Sequence, residues 1–168
     1  MRLGATATLA AGMMALASGA AFAADDPALK KLVGEWIGQG MFRWDSISDP
    51  ERLYCRISST ISADGVFRET GRCAVANDSA AVRVEIQAVA AGKYAGSAST
   101  GLGLRKPATF TGTGKGNQLV LVATETGEPV PTVLTIDITS GGFRIRAERT
   151  DPKTGRKFTA TDATFAPP

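Results

Sequence analysis

The sequence contains no histidine. That absence removes the commonest general base, the usual zinc and haem ligand, and every Ser-His or Cys-His dyad. Only two cysteines are present, Cys55 and Cys73, and a disulfide between them would leave no thiolate for a metal site. An excess of charge is missing too. Nineteen basic residues face 16 acidic ones for a net +3, too mild a balance to argue for nucleic acid or a charged membrane surface. No apolar run approaches the roughly 20 residues that a membrane-spanning helix needs. Nucleotide motifs fail on inspection. Gly112-Thr113-Gly114-Lys115-Gly116 has Thr109 where a phosphate loop needs its first glycine and Gly116 where it needs Ser or Thr. Gly101-Leu102-Gly103-Leu104 lacks the strand-then-helix setting of a dinucleotide site. Acidic pairs such as Asp25-Asp26 are local, with nothing to place them in a cleft. With no catalytic constellation, the expectation is a protein that is not an enzyme, with no metal and no cofactor.

What is present begins with a secretory pattern. Arg2 supplies the charged start, residues 9–17 a short apolar run, and Ala21-Phe22-Ala23 an A-x-A cleavage site. Residues 1–23 are therefore expected to be a signal peptide, and 24–168 a single domain that is soluble after cleavage and periplasmic or secreted. Loss of Arg2 lowers the net charge by one, to +2. A pair of cysteines suits an oxidising compartment.

Residues 53–75 form the most legible stretch. The tip Ala63-Asp64-Gly65 suits a three-residue hairpin loop, a type I turn followed by a left-handed glycine bulge. If Ser62 and Val66 close that loop, Cys55 falls opposite Cys73 at a non-hydrogen-bonded position. Cα atoms there lie roughly 4.5 Å apart, close enough for a disulfide. The same register puts Leu53, Cys55, Ile57, Ser59, Ile61, Phe67, Glu69, Gly71, Cys73 and Val75 on an inward face. Arg52, Tyr54, Arg56, Arg68 and Arg72 fall on the outward one.

Arg56 opposite Arg72 is unfavourable unless acids or an anion lie near. The four arginines are either a solvated exterior, with Glu35 and Glu85 as partners, or an anion or partner patch. Glu69 is the odd inward residue. A carboxyl in an apolar interior needs a partner or water; it is a polar handle for a ligand, a structural group, or a residue turned outward by a bulge.

The rest of the chain is β-rich. Residues 25–33 carry Pro27 and then Leu29, Leu32 and Val33 at helical spacing, a short helix expected to plug one end of the domain. Residues 34–44 read as a strand with Trp36, Gly38, Gly40, Phe42 and Trp44 on one face. After a turn at residues 77–79, residues 81–90 alternate with period two, and so do 93–98, 108–113, 119–124, 132–138, 143–149 and 157–165. The resulting nine or ten short strands with hairpin-length connections suit an antiparallel barrel or sandwich. The expected fold is an all-β, up-and-down barrel of about eight to ten strands with a short N-terminal helix.

Gly34-x-Trp36 at the start of such a run resembles the G-x-W signature of lipocalins and their calycin relatives. That resemblance implies a structural Trp36 closing the barrel base under a basic residue, for which Arg144, Arg146 and Arg149 are candidates. A signal peptide, a G-x-W strand and one disulfide also resemble the small periplasmic inhibitors of bacterial metalloproteases, whose N-terminal trunk would correspond to residues 24–31. Leu32, Gly34, Trp36, Gly38 and Gly40, then Glu51, Arg52, Cys55 and Arg56, then Arg72, Cys73 and Ala74 are similar to a pattern in uncharacterised small secreted bacterial β-barrel proteins. The function expected is a noncatalytic periplasmic barrel binding a small apolar or amphipathic ligand. Its candidate cavity residues are Trp36, Phe42 and Glu69, with residues 99–107 as a rim. The alternative is an envelope protein that binds a protein partner or inhibits a protease through its N-terminal segment or its arginine face. Inward Gly38, Gly40, Gly71 and Ala88 either leave room for a cavity or permit a narrow, filled barrel.

Overall fold

A computed structural model describes residues 26–99 and 103–168; the expected signal segment, 1–23, lies outside them. One short helix, α1 (Pro27–Lys31), precedes ten strands: β1 (Gly34–Phe42), β2 (Glu51–Ile61), β3 (Phe67–Val75), β4 (Asp78–Ala90), β5 (Lys93–Ala98), β6 (Ala108–Lys115), β7 (Gln118–Glu125), β8 (Thr132–Thr139), β9 (Gly142–Thr150) and β10 (Lys157–Ala166). Each strand pairs antiparallel with its neighbour in sequence, and β1 pairs with β10 to close the barrel. Closure leaves no strand edge exposed, which is how an all-β chain avoids edge-to-edge association.

The hairpin β2–β3 has the register read from its turn. Ser62 N–H donates to Val66 O at 3.0 Å, Gly65 N–H donates to Ser62 O at 2.8 Å, and Gly65 has φ 77°. Cys55 pairs with Cys73, Arg56 with Arg72, Ser59 with Glu69 and Ile61 with Phe67. The Cys55–Cys73 disulfide joins Cα atoms 4.0 Å apart, a non-hydrogen-bonded spacing.

Helix α1 has only five residues, too few to be stable alone. Docking holds it. The Asp26 carboxylate caps it by accepting from Ala28 and Leu29 N–H at 3.0 Å, Pro27 occupies the first turn, and Leu29 is fully buried. Tyr94 O–H donates to Asp26 at 2.9 Å and Lys31 donates to Asn117 at 2.8 Å, so the helix seals the end of the barrel where β1 starts.

That sealed base is aromatic. Trp36 donates its indole N–H to Leu32 O at 2.9 Å and meets Phe143 edge-on with centroids 5.1 Å apart. Phe143 stacks on Phe165 at 4.8 Å. The inward glycines serve close approach here and do not open space. Gly38 lies in register with Phe165, and a Cβ at Gly38 would run into that ring; Gly40 and Gly71 are likewise filled by β10 and β2 backbone. Gly38→Val is therefore expected to destabilise the fold by about 1–3 kcal/mol through overpacking, read as a lower urea midpoint.

Candidate functional site: the barrel mouth and interior

The end opposite α1 is the mouth. Glu125 and Arg149 both follow the inward alternation of their strands, β7 and β9, and both reach the mouth at the strand ends. Their side chains meet at 2.5 Å, buried. Glu125 also accepts from Thr132 O–H at 2.9 Å and from the backbone N–H groups of Arg105 and Lys106 at 2.6 and 3.0 Å, while Arg149 donates to Gly103 O at 2.8 Å. This buried network holds the segment 103–106 across the mouth. Desolvation pulls the Arg149 guanidinium below its usual pKa, the cost of burial that the Glu125 charge offsets.

The pinned segment drives Leu104 into the interior, where it is 7% exposed. Two cavities meet at that side chain. Above it, a mouth cavity of about 300 Å³ is lined by Phe42, Trp44, Leu53, Cys73, Val75 and Ala80, with Asp78 and Arg105 among its polar residues. Below it, a smaller cavity of about 40 Å³ runs inward between Leu104 and Leu32, walled by Phe67, Val84, Ile86, Phe110, Leu121, Leu134, Ile136, Phe143 and Ile145. Leu104 is the one residue lining both.

Glu69 lines the inner cavity and is its one titratable side chain. It is 5% exposed and, among the described residues, has no hydrogen-bond or ion-pair partner. Burial alone pushes its pKa up to about 7. The consequence for stability has a definite sign. Between pH 4.5 and about 7 the folded chain keeps a proton that the unfolded chain releases, so stability falls as pH rises through that window and levels off above it. Glu69→Gln is expected to flatten this slope and to be more stable than the parent at pH 8, by on the order of 2 kcal/mol. Urea midpoints across pH 5–8 check it.

The candidate cavity residues thus occupy different places: Glu69 in the inner wall, Phe42 at the mouth, and Trp36 in the base against Phe143. Of the basic residues considered for Trp36, Arg144 chelates Asp162 at 2.6 and 2.5 Å on the outer surface, Arg146 stands 4.0 Å from the same carboxylate, and Arg149 belongs to the mouth. The outer arginines of the hairpin stay outside. Arg68 bonds Asp64 and Glu85 at 3.2 Å, Arg72 donates to Ser79 at 2.8 Å, and Arg56 is exposed, its pKa raised by the neighbouring Tyr54. Arg52 is exposed.

No family model matches the chain. No curated protein matches either. Among solved structures the chain is similar to Rv2717c from M. tuberculosis, at 12% identity and a TM-score of 0.65, over 85% of this chain and 98% of that one. At that identity the likeness is one of fold: a small β-barrel spanning nearly the whole of the other protein.

The sequence points to Glu69, Phe42 and a rim at 99–107, of which 100–102 lie outside the described residues and 103–106 cross the mouth, but not to the inward role of Leu104, to Trp44 as a mouth residue or to the Glu125–Arg149 pair. A usable signal existed for the pair. Leu119, Leu121, Ala123 and Glu125 share one strand face, as do Phe143, Ile145, Ala147 and Arg149. Opposite charges in inward phase at the ends of β7 and β9 need each other.

Proposed function

We propose that the protein is a noncatalytic binding barrel, acting in the periplasm or outside the cell, which takes a small apolar or amphipathic ligand through its mouth. The observation that carries this reading is the apolar mouth cavity stacked over the inner one with a single side chain, Leu104, between them. Its volume of about 300 Å³ is at the lower end of small-molecule sites, and the ring of Trp44 stands at its edge, partly exposed. The disulfide supports an oxidising compartment. Against the inhibitor reading, residues 26–32 are engaged by the barrel base and not free to enter a cleft.

Two measurements test the proposal. Native mass spectrometry of protein recovered from its own envelope is expected to show a retained small molecule. Titration with the neutral apolar dye N-phenylnaphthylamine is expected to quench tryptophan fluorescence in the parent and much less in Trp44→Phe. A retained protein partner, with no dye binding, would overturn the ligand reading in favour of an envelope interaction protein.

A further inference from the structure

We propose that the inner end of the cavity is a subsite for a primary ammonium group, with Glu69 as its acceptor, so that the ligand is an unbranched aliphatic amine. This rests on the reading that the barrel interior takes a ligand. The inner cavity holds one charged or polar lining side chain, and it is an unpartnered carboxyl more than nine-tenths buried. Directly across the strand pair stands Ser59, 2% exposed, whose Oγ also lacks a hydrogen-bond partner. On the other side, in register on β4, is Val84. Neither neighbour carries charge, and the remaining walls are apolar.

A carboxyl without a partner that faces an apolar cavity asks for a donor, and the Ser59 hydroxyl, across the strand pair and outside the cavity lining, supplies none. A cation answers better than a neutral hydroxyl, because in a water-poor site an ionised carboxylate gains more from a charge-assisted bond. Phe67, Phe110 and Phe143 wall the same space, and aromatic faces also favour a cation. Size selects the kind of cation. About 40 Å³ exceeds what one water needs but leaves little room for a bulky, substituted nitrogen. A slim –NH₃⁺ tip fits that description.

The rest of the ligand follows from the path. Cys73 lines the mouth and Glu69 the inner cavity, four residues apart on β3, which is about 13 Å of extended strand. An unbranched alkyl tail passing Leu104 would lie along that distance, its far end among Phe42, Trp44 and Val75 in the mouth.

Binding also has a proton balance. With Glu69 protonated, the incoming ammonium displaces the carboxyl proton to solvent, and a carboxylate–ammonium pair remains; no other bond is made or broken.

The probes are n-octylamine, n-octanol and octanoate, each kept below micelle formation and titrated calorimetrically into the full mature chain. The parent is expected to bind the amine at least tenfold more tightly than the alcohol and to reject octanoate. At pH 6, in buffers of different ionisation enthalpy, the amine is expected to release close to one proton. Glu69→Gln keeps the shape of the site and should lose both the amine preference and the proton release, binding octylamine no more tightly than octanol. If the parent binds octanol as tightly as octylamine, or Glu69→Gln keeps the preference, the ammonium subsite is overturned and the apolar cavity stands. If none of the three probes binds, nor the apolar dye, the underlying ligand reading falls as well.

Discussion

Glu125→Leu is expected to cost about 3–5 kcal/mol of folding stability, the usual penalty for stranding one member of a buried ion pair. The reasoning is local. Glu125 is 2% exposed and accepts from four donors: the Arg149 guanidinium, the Thr132 hydroxyl and the Arg105 and Lys106 backbone amides. Removing it leaves a buried guanidinium and two backbone N–H groups without their acceptor. Arg149→Met is expected to be milder, about 2–3 kcal/mol, because a carboxylate that keeps three hydrogen bonds retains much of its compensation. Glu125→Leu combined with Arg149→Met removes the stranded charge but not the orphaned amides, so it should recover stability only in part. At about 2–4 °C per kcal/mol for a chain of this size, the single Glu125 change should lower the melting temperature by roughly 10 °C. A second readout separates this network from an ordinary core residue. Because it holds segment 103–106 over the mouth, its loss should quicken dye entry past Leu104 even at temperatures where the barrel stays folded. Equal costs for Glu125→Leu and Arg149→Met, with dye entry unchanged, would show that the pair does not brace the mouth.

How far the sequence reveals this arrangement depends on whether the information is local. The β2–β3 register is local: three turn residues and two cysteines determine it, and Glu69 inherits its inward position from that register. A count of about eight to ten strands and the helix α1 are also legible, since period-two runs and a capped proline start are short-range signals. Turn placement fared differently at one point. Asn77-Asp78-Ser79 reads as a turn, yet Asp78 already pairs with Val75 and Ser79 with Ala74, leaving Ala76 and Asn77 as a tighter two-residue connection. Ladder pairing outweighed the turn preference of Asp and Ser. On β10, a bulge between Thr159 and Thr161 buries Ala160 and Thr161 in succession, and nothing in composition marks it, because no glycine is involved. The roles of Gly38 and Gly71 depend on what another strand brings against them, the Phe165 ring at Gly38 and β2 backbone at Gly71. Leu104 lies in a loop, where no periodicity assigns a side, and only the long-range Glu125–Arg149 contact sets its direction.

Replacing both cysteines with alanine is expected to cost about 3 kcal/mol, by a route unlike that of Glu125. The disulfide closes a segment of sequence separation 18, a loop length for which cross-linking the unfolded chain is worth about that much. In the native barrel the two strands are held in register by their own ladder, by β1 on one side and by β4 on the other. The folded structure should therefore persist without the bond, and the loss should arise in the unfolded ensemble. Denaturation distinguishes the two cases. A chain freed of its cross-link exposes more surface on unfolding, so the double alanine variant should show a lower urea midpoint together with a steeper dependence on urea, whereas Glu125→Leu should lower the midpoint at unchanged slope. Cys73 borders the mouth cavity while Cys55 is fully buried, so dye binding well below the midpoint should remain close to the parent's. An unchanged slope, or dye binding lost along with the disulfide, would instead mean that the bond shapes the native mouth. Treatment of the parent with a strong reductant should reproduce the variant's curve, tying this part of the stability to an oxidising environment.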